Sequence, residues 1–136
     1  MWFKIFISVI VLSVVTSVTA QSPALVQALI IQESDGNDKA FNEKENAVGC
    51  LQIRPGYFKD AQERDPSLAG YSHKDCYSRE VSIKVLKAYM NRYARGASDE
   101  VIARKHNGGG PNGHKKESTL AYWRSVKAIM DNGGKK

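Results

Sequence analysis

Apolar side chains recur at helical spacing from Ser22 to Ser34, with Val26, Leu29 and Ile30 falling on one face. Ser22 supplies a cap and Pro23 suits the first helical position, whereas Ser34-Asp35-Gly36-Asn37-Asp38 is turn chemistry. The stretch from Lys39 to Gly49 is polar and charged without a helical stripe, which predicts an irregular or hairpin-like lip. Leu51 and Ile53 ahead of Pro55 read as a short extended piece, and Tyr57 to Ala61 as a short helix. A longer stripe of Val81, Val85, Leu86, Tyr89 and Tyr93 predicts a helix from about Ser78 to Arg95, stopped by Gly96. Ser98-Asp99-Glu100 caps a further helix that runs into the glycine-rich loop His106 to Gly113, and a last helix spans Ser118 to about Asn132. The pattern predicts a mainly α domain with a small irregular or β lobe between its first two long helices.

Composition sharpens where such a domain works. Met1-Trp2-Phe3-Lys4 carries a positive charge, Ile5 to Val15 is almost wholly apolar, and Val18-Thr19-Ala20 supplies small residues, which is the pattern of a secretory signal over residues 1–20. The apolar run falls short of the roughly 20 residues of a membrane span, so no stable anchor is expected after cleavage. Residues 21–136 then form one exported, monomeric domain, periplasmic or secreted. The chain carries a net charge of +6, and an exported basic protein meets anionic surfaces such as cell-wall polymers rather than nucleic acid. Cys50 and Cys76 are an even pair in an oxidising compartment, compatible with one disulfide or with two buried thiols. Such a bridge closes a loop of about 25 residues and contributes roughly 3 kcal/mol. Three scattered histidines show no ligand spacing, so neither metal nor cofactor is expected.

Glu33 is the candidate for chemistry. It ends the first apolar helix on the same face as Val26, Leu29 and Ile30. Apolar neighbours and the negative end of the helix dipole both disfavour its charged form, which is the state a general acid needs near neutral pH.

Several co-linear motifs follow it. They are Glu33-Ser34, Gly49-Cys50-Leu51-Gln52-Ile53, Tyr89-Met90-Asn91-Arg92-Tyr93, Ala103-Arg104-Lys105-His106-Asn107 with its glycines, and Thr119-Leu120-Ala121-Tyr122-Trp123. Together they resemble the lysozyme superfamily, most closely the invertebrate-type, destabilase-like lysozymes, and less closely the soluble lytic transglycosylases. The resemblance implies an α+β lysozyme-like fold in which a helical domain and a small lobe flank an active-site cleft. Two departures stand out: Gly108-Gly109-Gly110 replaces a pair of glycines, and the dense disulfide set of the animal proteins shrinks to one candidate pair.

The resemblance further implies a peptidoglycan glycosidase that cuts the β-1,4 bond between N-acetylmuramic acid and N-acetylglucosamine, with Glu33 as general acid. Ser34, Gln52, His106, Asn107, Gly108 and Tyr122 are the implied substrate-binding residues. Gln52 offers a donor and an acceptor to a sugar, glycines let backbone approach a ligand, and Tyr122 and Trp123 either stack on sugar faces or belong to the core. Glu45 is the first choice for a second carboxylate, ahead of Glu43 and Asp38. A separation of about 5 Å from the acid favours a retaining hydrolase, and about 6.5 to 9.5 Å an inverting one. With no second carboxylate, Glu33 serves as acid and then base, giving the 1,6-anhydro product of a lytic transglycosylase. A wall-binding or assembly protein that kept the cleft without turnover is the alternative outside the enzymes.

Overall fold

A computed structural model describes residues 21–136, and the expected signal segment lies outside the described residues. Five helices carry the fold: α1 (Pro23–Ser34), α2 (Pro55–Arg64), α3 (Arg79–Tyr93), α4 (Asp99–Gly108) and α5 (Ser118–Asp131). Between α1 and α2 lies a hairpin of two short strands, β1 (Phe41–Asn42) and β2 (Ala47–Val48), paired antiparallel with Phe41 opposite Val48. The mainly α class with a small β lobe expected from the sequence is the class observed.

Three of the helices, α1, α3 and α4, begin where a serine side chain satisfies one of the first amides. Ser22 accepts from the Leu25 amide at 3.2 Å, Ser78 from that of Val81 at 3.4 Å, and Ser98 from that of Val101 at 3.3 Å. α1 stops because Asp35 turns left-handed at φ 53°, with Gly36 following at φ 84°. Its apolar face, Leu25, Ala28, Leu29 and Ile30, is buried against α5, while α2 packs on α3 and α4 on α5. The shared core also holds Leu51, Ile53, Val85, Leu86, Met90 and Val126, all inaccessible to solvent.

Two local expectations change. The extended piece at Leu51–Ile53 reduces to a single bridge between Ile53 and Val48, because Gln52 turns left-handed at φ 51°. The loop expected from His106 begins later: α4 runs on through Gly108. A side chain at Gly108 meets the Gly113 Cα and Thr119 Cγ2, both at 2.8 Å, so this glycine serves close helix–loop packing.

Cys50 and Cys76 are free, fully buried thiols, and no disulfide joins them here. Burial pushes both thiols up, Cys76 to about 12, so they behave as small apolar core residues. Part of the basic run is likewise consumed by the fold: Arg92 lies against Asp60 and Glu63, and the Lys105 ammonium donates to the Tyr93 carbonyl. Among the described residues no helix is long and apolar enough to cross a membrane.

Candidate active site

The last turn of α1 delivers Glu33 to the floor of a polar cleft of about 150 Å³, lined by Glu33, Asn42, Glu45, Gln52, Arg54, His106 and Asn107. α1 and α4 supply one wall, the hairpin the other, and the segment leading into α2 joins them. The Glu33 side chain is only 20% exposed. Loss of water around the carboxylate raises its pKa, and the nearby charge of Glu45 adds to the rise; the Tyr122 hydrogen bond, Arg54 and Lys136 pull the other way. Desolvation is the largest of these, so the acid is held toward its protonated form.

The hydroxyl of Tyr122, on α5, donates to Glu33 Oε1 at 2.7 Å. Beside it stands His106, buried on the last turn of α4. Its Nε2 lies 3.1 Å from the Leu51 carbonyl, and its Nδ1 lies 2.9 Å from the Tyr57 hydroxyl. A carbonyl only accepts, so Nε2 carries the proton and Nδ1 accepts from Tyr57. Burial and the Arg54 charge push the His106 pKa down to about 4. Its 3.6 Å approach to Glu33 Oε1 is therefore the approach of a neutral imidazole, not an ion pair. Tyr57 in turn stacks on Tyr89, ring centroids 3.6 Å apart, which fixes the imidazole from below.

The other expected residues divide in two. Gln52 and Asn107 line the cleft. The Gln52 amide nitrogen donates to the Gly49 carbonyl at 3.0 Å, and its oxygen has no hydrogen-bond donor among the described residues. Ser34 does not line the cleft; its hydroxyl donates to the Ile30 and Cys50 carbonyls at 3.1 and 2.9 Å, tying α1 to the Gly49–Ile53 segment. Gly108 is absorbed in packing, as described above, and Tyr122 reaches the acid itself. Of the three second-carboxylate candidates, Glu45 lines the cleft. Asp38 instead accepts from Arg79 at 2.8 Å, and Glu43 is an exposed residue of the hairpin turn outside the cleft lining.

Sequence reasoning passed over Arg54, Asn42 and Tyr57. Arg54 had a readable anomaly: it occupies the cap position of α2, where Ser, Thr, Asp or Asn is favoured, and makes no capping bond. Its guanidinium instead donates to the His106 and Asn107 carbonyls at 3.4 Å, at the negative end of α4. No group of three or more histidine, cysteine or carboxylate side chains that could hold a metal ion occurs among the described residues. What the arrangement can do is hold one protonated carboxylic acid, with one oxygen bound to the protein, at the bottom of a polar cleft beside a second carboxylate.

A family model described as Destabilase matches residues 24–129. Invertebrate-type lysozyme 6 of Caenorhabditis elegans is 29% identical over 126 residues, covering 83% of this chain and 90% of the relative. A lysozyme of Ostrea edulis is 30% identical over 128 residues, covering 89% and 90%. Among solved structures, the inhibitor-bound lysozyme of Meretrix lusoria superposes with a TM-score of 0.67 at 27% identity, covering 79% of this chain and 89% of that one. The Tapes japonica lysozyme gives 0.66 with the same identity and coverage.

Proposed function

The chain belongs to the destabilase family and is a lysozyme-type glycosidase, and we propose that Glu33 is the general acid with which it cuts the β-1,4 bond between N-acetylmuramic acid and N-acetylglucosamine in peptidoglycan. The observation that carries this reading is a desolvated carboxylate on the floor of a polar cleft, its pKa raised. Such an acid keeps its proton at a pH where solvated carboxylates have lost theirs, and gives it to the leaving glycosidic oxygen. The same environment-driven logic is the general account of lysozyme acids.

Glu45 is the second carboxylate. It lines the same cleft as the acid, which supports its attacking the anomeric carbon, or stabilising the positive charge that develops there, when the bond opens. Gln52 and Asn107 offer amide groups, and Arg54 a cation, to the sugar substituents. The N-terminal segment and the basic surface support an exported enzyme meeting an anionic wall. The completeness of the frame around Glu33 argues for turnover rather than for wall binding alone.

A specific observation favours a second outcome. Glu45 is exposed on a hairpin of two-residue strands and has no partner among the described residues except its own backbone amide's bond to Asn42, at 3.4 Å. If it does not engage the sugar, Glu33 acts as acid and then base, and the products carry 1,6-anhydro ends. Mass spectrometry of fragments released from purified peptidoglycan by the protein and by its Glu33→Gln variant tests both. Reducing muropeptides that depend on Glu33 support the hydrolase, and anhydro products move the reaction to transglycosylation. Undiminished cleavage by a folded Glu33→Gln variant overturns the assignment of the acid.

A further inference from the structure

The two oxygens of Glu33 have different surroundings. Oε1 accepts from the Tyr122 hydroxyl at 2.7 Å and faces His106 Nε2 at 3.6 Å. Oε2 has no hydrogen-bond partner among the described residues, and it is not among their buried unsatisfied atoms either, so it opens to the cleft that Glu33 lines. A neutral carboxyl already receiving a hydrogen bond on one oxygen carries its proton on the other.

Resting on Glu33 as the acid, we propose that Tyr122 is a positioning residue of the reaction, not a sugar-stacking platform: its hydroxyl holds Oε1 so that the proton rides on Oε2, aimed at the glycosidic oxygen. As the bond between Oε2 and the proton breaks and the proton bonds to the glycosidic oxygen, the bond from that oxygen to the anomeric carbon opens. The electron pair left on Glu33 spreads onto Oε1. The hydrogen bond from Tyr122 strengthens as that charge develops, so it stabilises the transition state more than the ground state.

Six groups bear on the carboxyl. Tyr122 comes from α5, His106 from α4, Arg54 and Tyr57 from the start of α2, Glu45 from the hairpin, and Lys136 from the C-terminal end of the chain. His106 is neutral above about pH 4 and Glu45 carries like charge, so Tyr122 is the donor that contacts Oε1 at hydrogen-bond distance. The tyrosine is able to act this way because its own ionisation is pushed well up, by burial first and then by the Glu33 charge, so it remains a donor throughout the working range.

The test is the pH dependence of Tyr122→Phe on soluble glycan strands, beside the parent protein and Glu33→Gln. Removing the donor is expected to move the alkaline limb of kcat to higher pH and to lower kcat at the optimum roughly tenfold, with KM within about twofold. An unchanged limb with raised KM overturns the proposal and returns Tyr122 to the substrate-binding set. A second measurement stands even if Tyr122→Phe does not fold. In parent protein labelled with 13C at the tyrosine Cζ, one resonance should titrate with the midpoint of the activity limb and stop titrating in Glu33→Gln. Absence of such a resonance overturns the proposal. Full activity in folded Glu33→Gln would instead remove the acid assignment on which it rests.

Discussion

The two walls of the cleft are built on opposite terms. On the helical side Glu33, His106 and Tyr122 come from the ends of α1 and α4 and the middle of α5, and their polar atoms are matched: hydroxyl to carboxylate, imidazole to carbonyl, tyrosine to imidazole. On the hairpin side two strands of two residues bury only Ala47 and Val48, while Phe41, Asn42, Glu43 and Glu45 remain exposed. A buried polar network is rigid because each broken bond strands a desolvated group, whereas a short solvated hairpin has little to lose by moving. On the proposed reading the proton donor, Glu33, sits on the rigid wall and the second carboxylate, Glu45, on the compliant one.

Substitutions that respect this division should differ sharply in what they disturb. Glu33→Gln on the rigid wall is expected to lower turnover by about 10³-fold or more, measured as release of soluble wall fragments. Its folding should not suffer. A carboxyl whose pKa is raised in the folded state contributes stability below its unfolded pKa of 4.5 and loses it as pH rises through the folded value. At pH 7 the neutral amide removes that cost, so Glu33→Gln should melt at or above the parent temperature, the trade of stability for function common at active sites.

Glu45→Gln on the compliant wall should separate the two reaction types. A hydrolase that uses Glu45 loses about 10²-fold or more in kcat. A transglycosylase is nearly indifferent to the change, and thermal melting is unaltered in both cases.

Where the two walls meet, the hairpin is anchored by Gly49, at φ 82° with space for no side chain: a Cβ there lies 1.9 Å from the Cys76 carbonyl oxygen. Gly49→Ala should cost about 3 kcal/mol or more by urea denaturation, since backbone, not a flexible side chain, has to move.

His106 tests the rigid wall by pH. Unfolded, it protonates near 6.5, and folded only near 4, so its contribution is present above pH 6.5 and is lost as pH falls toward 4. The loss is on the order of 3 kcal/mol. Glu33 changes stability in the opposite direction on acidification in both proteins, so the expected observation is a loss of stability between pH 6.5 and 4 that is smaller in His106→Gln than in the parent. Gln can still donate to the Leu51 carbonyl and accept from Tyr57. The smallest effect belongs to the open end of the hairpin: Phe41, 53% exposed, should tolerate replacement by Ser within about 0.5 kcal/mol.

The sequence by itself determined the parts whose signals are local. Caps at Ser22 and Ser98 and the apolar stripe from Val81 placed three helix starts, the turn after Ser34 ended α1, and the polar stretch from Lys39 marked the lip. Apolar spacing placed Glu33 at the end of a buried face, and its neighbours alone argued a raised pKa. The motifs marked Gln52 and Asn107, which line the cleft, and Tyr122, which reaches the acid by another route than stacking; Glu45, first of the three candidates for a second carboxylate, lines the cleft as well. What those residues do to one another was beyond local reach. Tyr122 meets Glu33 across 89 positions of chain, and the Tyr57 hydroxyl meets His106 across 49. Whether His106 is a solvated ligand or a buried neutral strut depends on Leu51 and Tyr57 arriving on either side of it. Gly108 looks the same in the sequence whether it yields space to a sugar or to Gly113. Helix periods and caps are set by residues within a turn or two, whereas burial, ionisation and hydrogen-bond partnership are set by which distant segments the core brings together, and only the tertiary structure decides that.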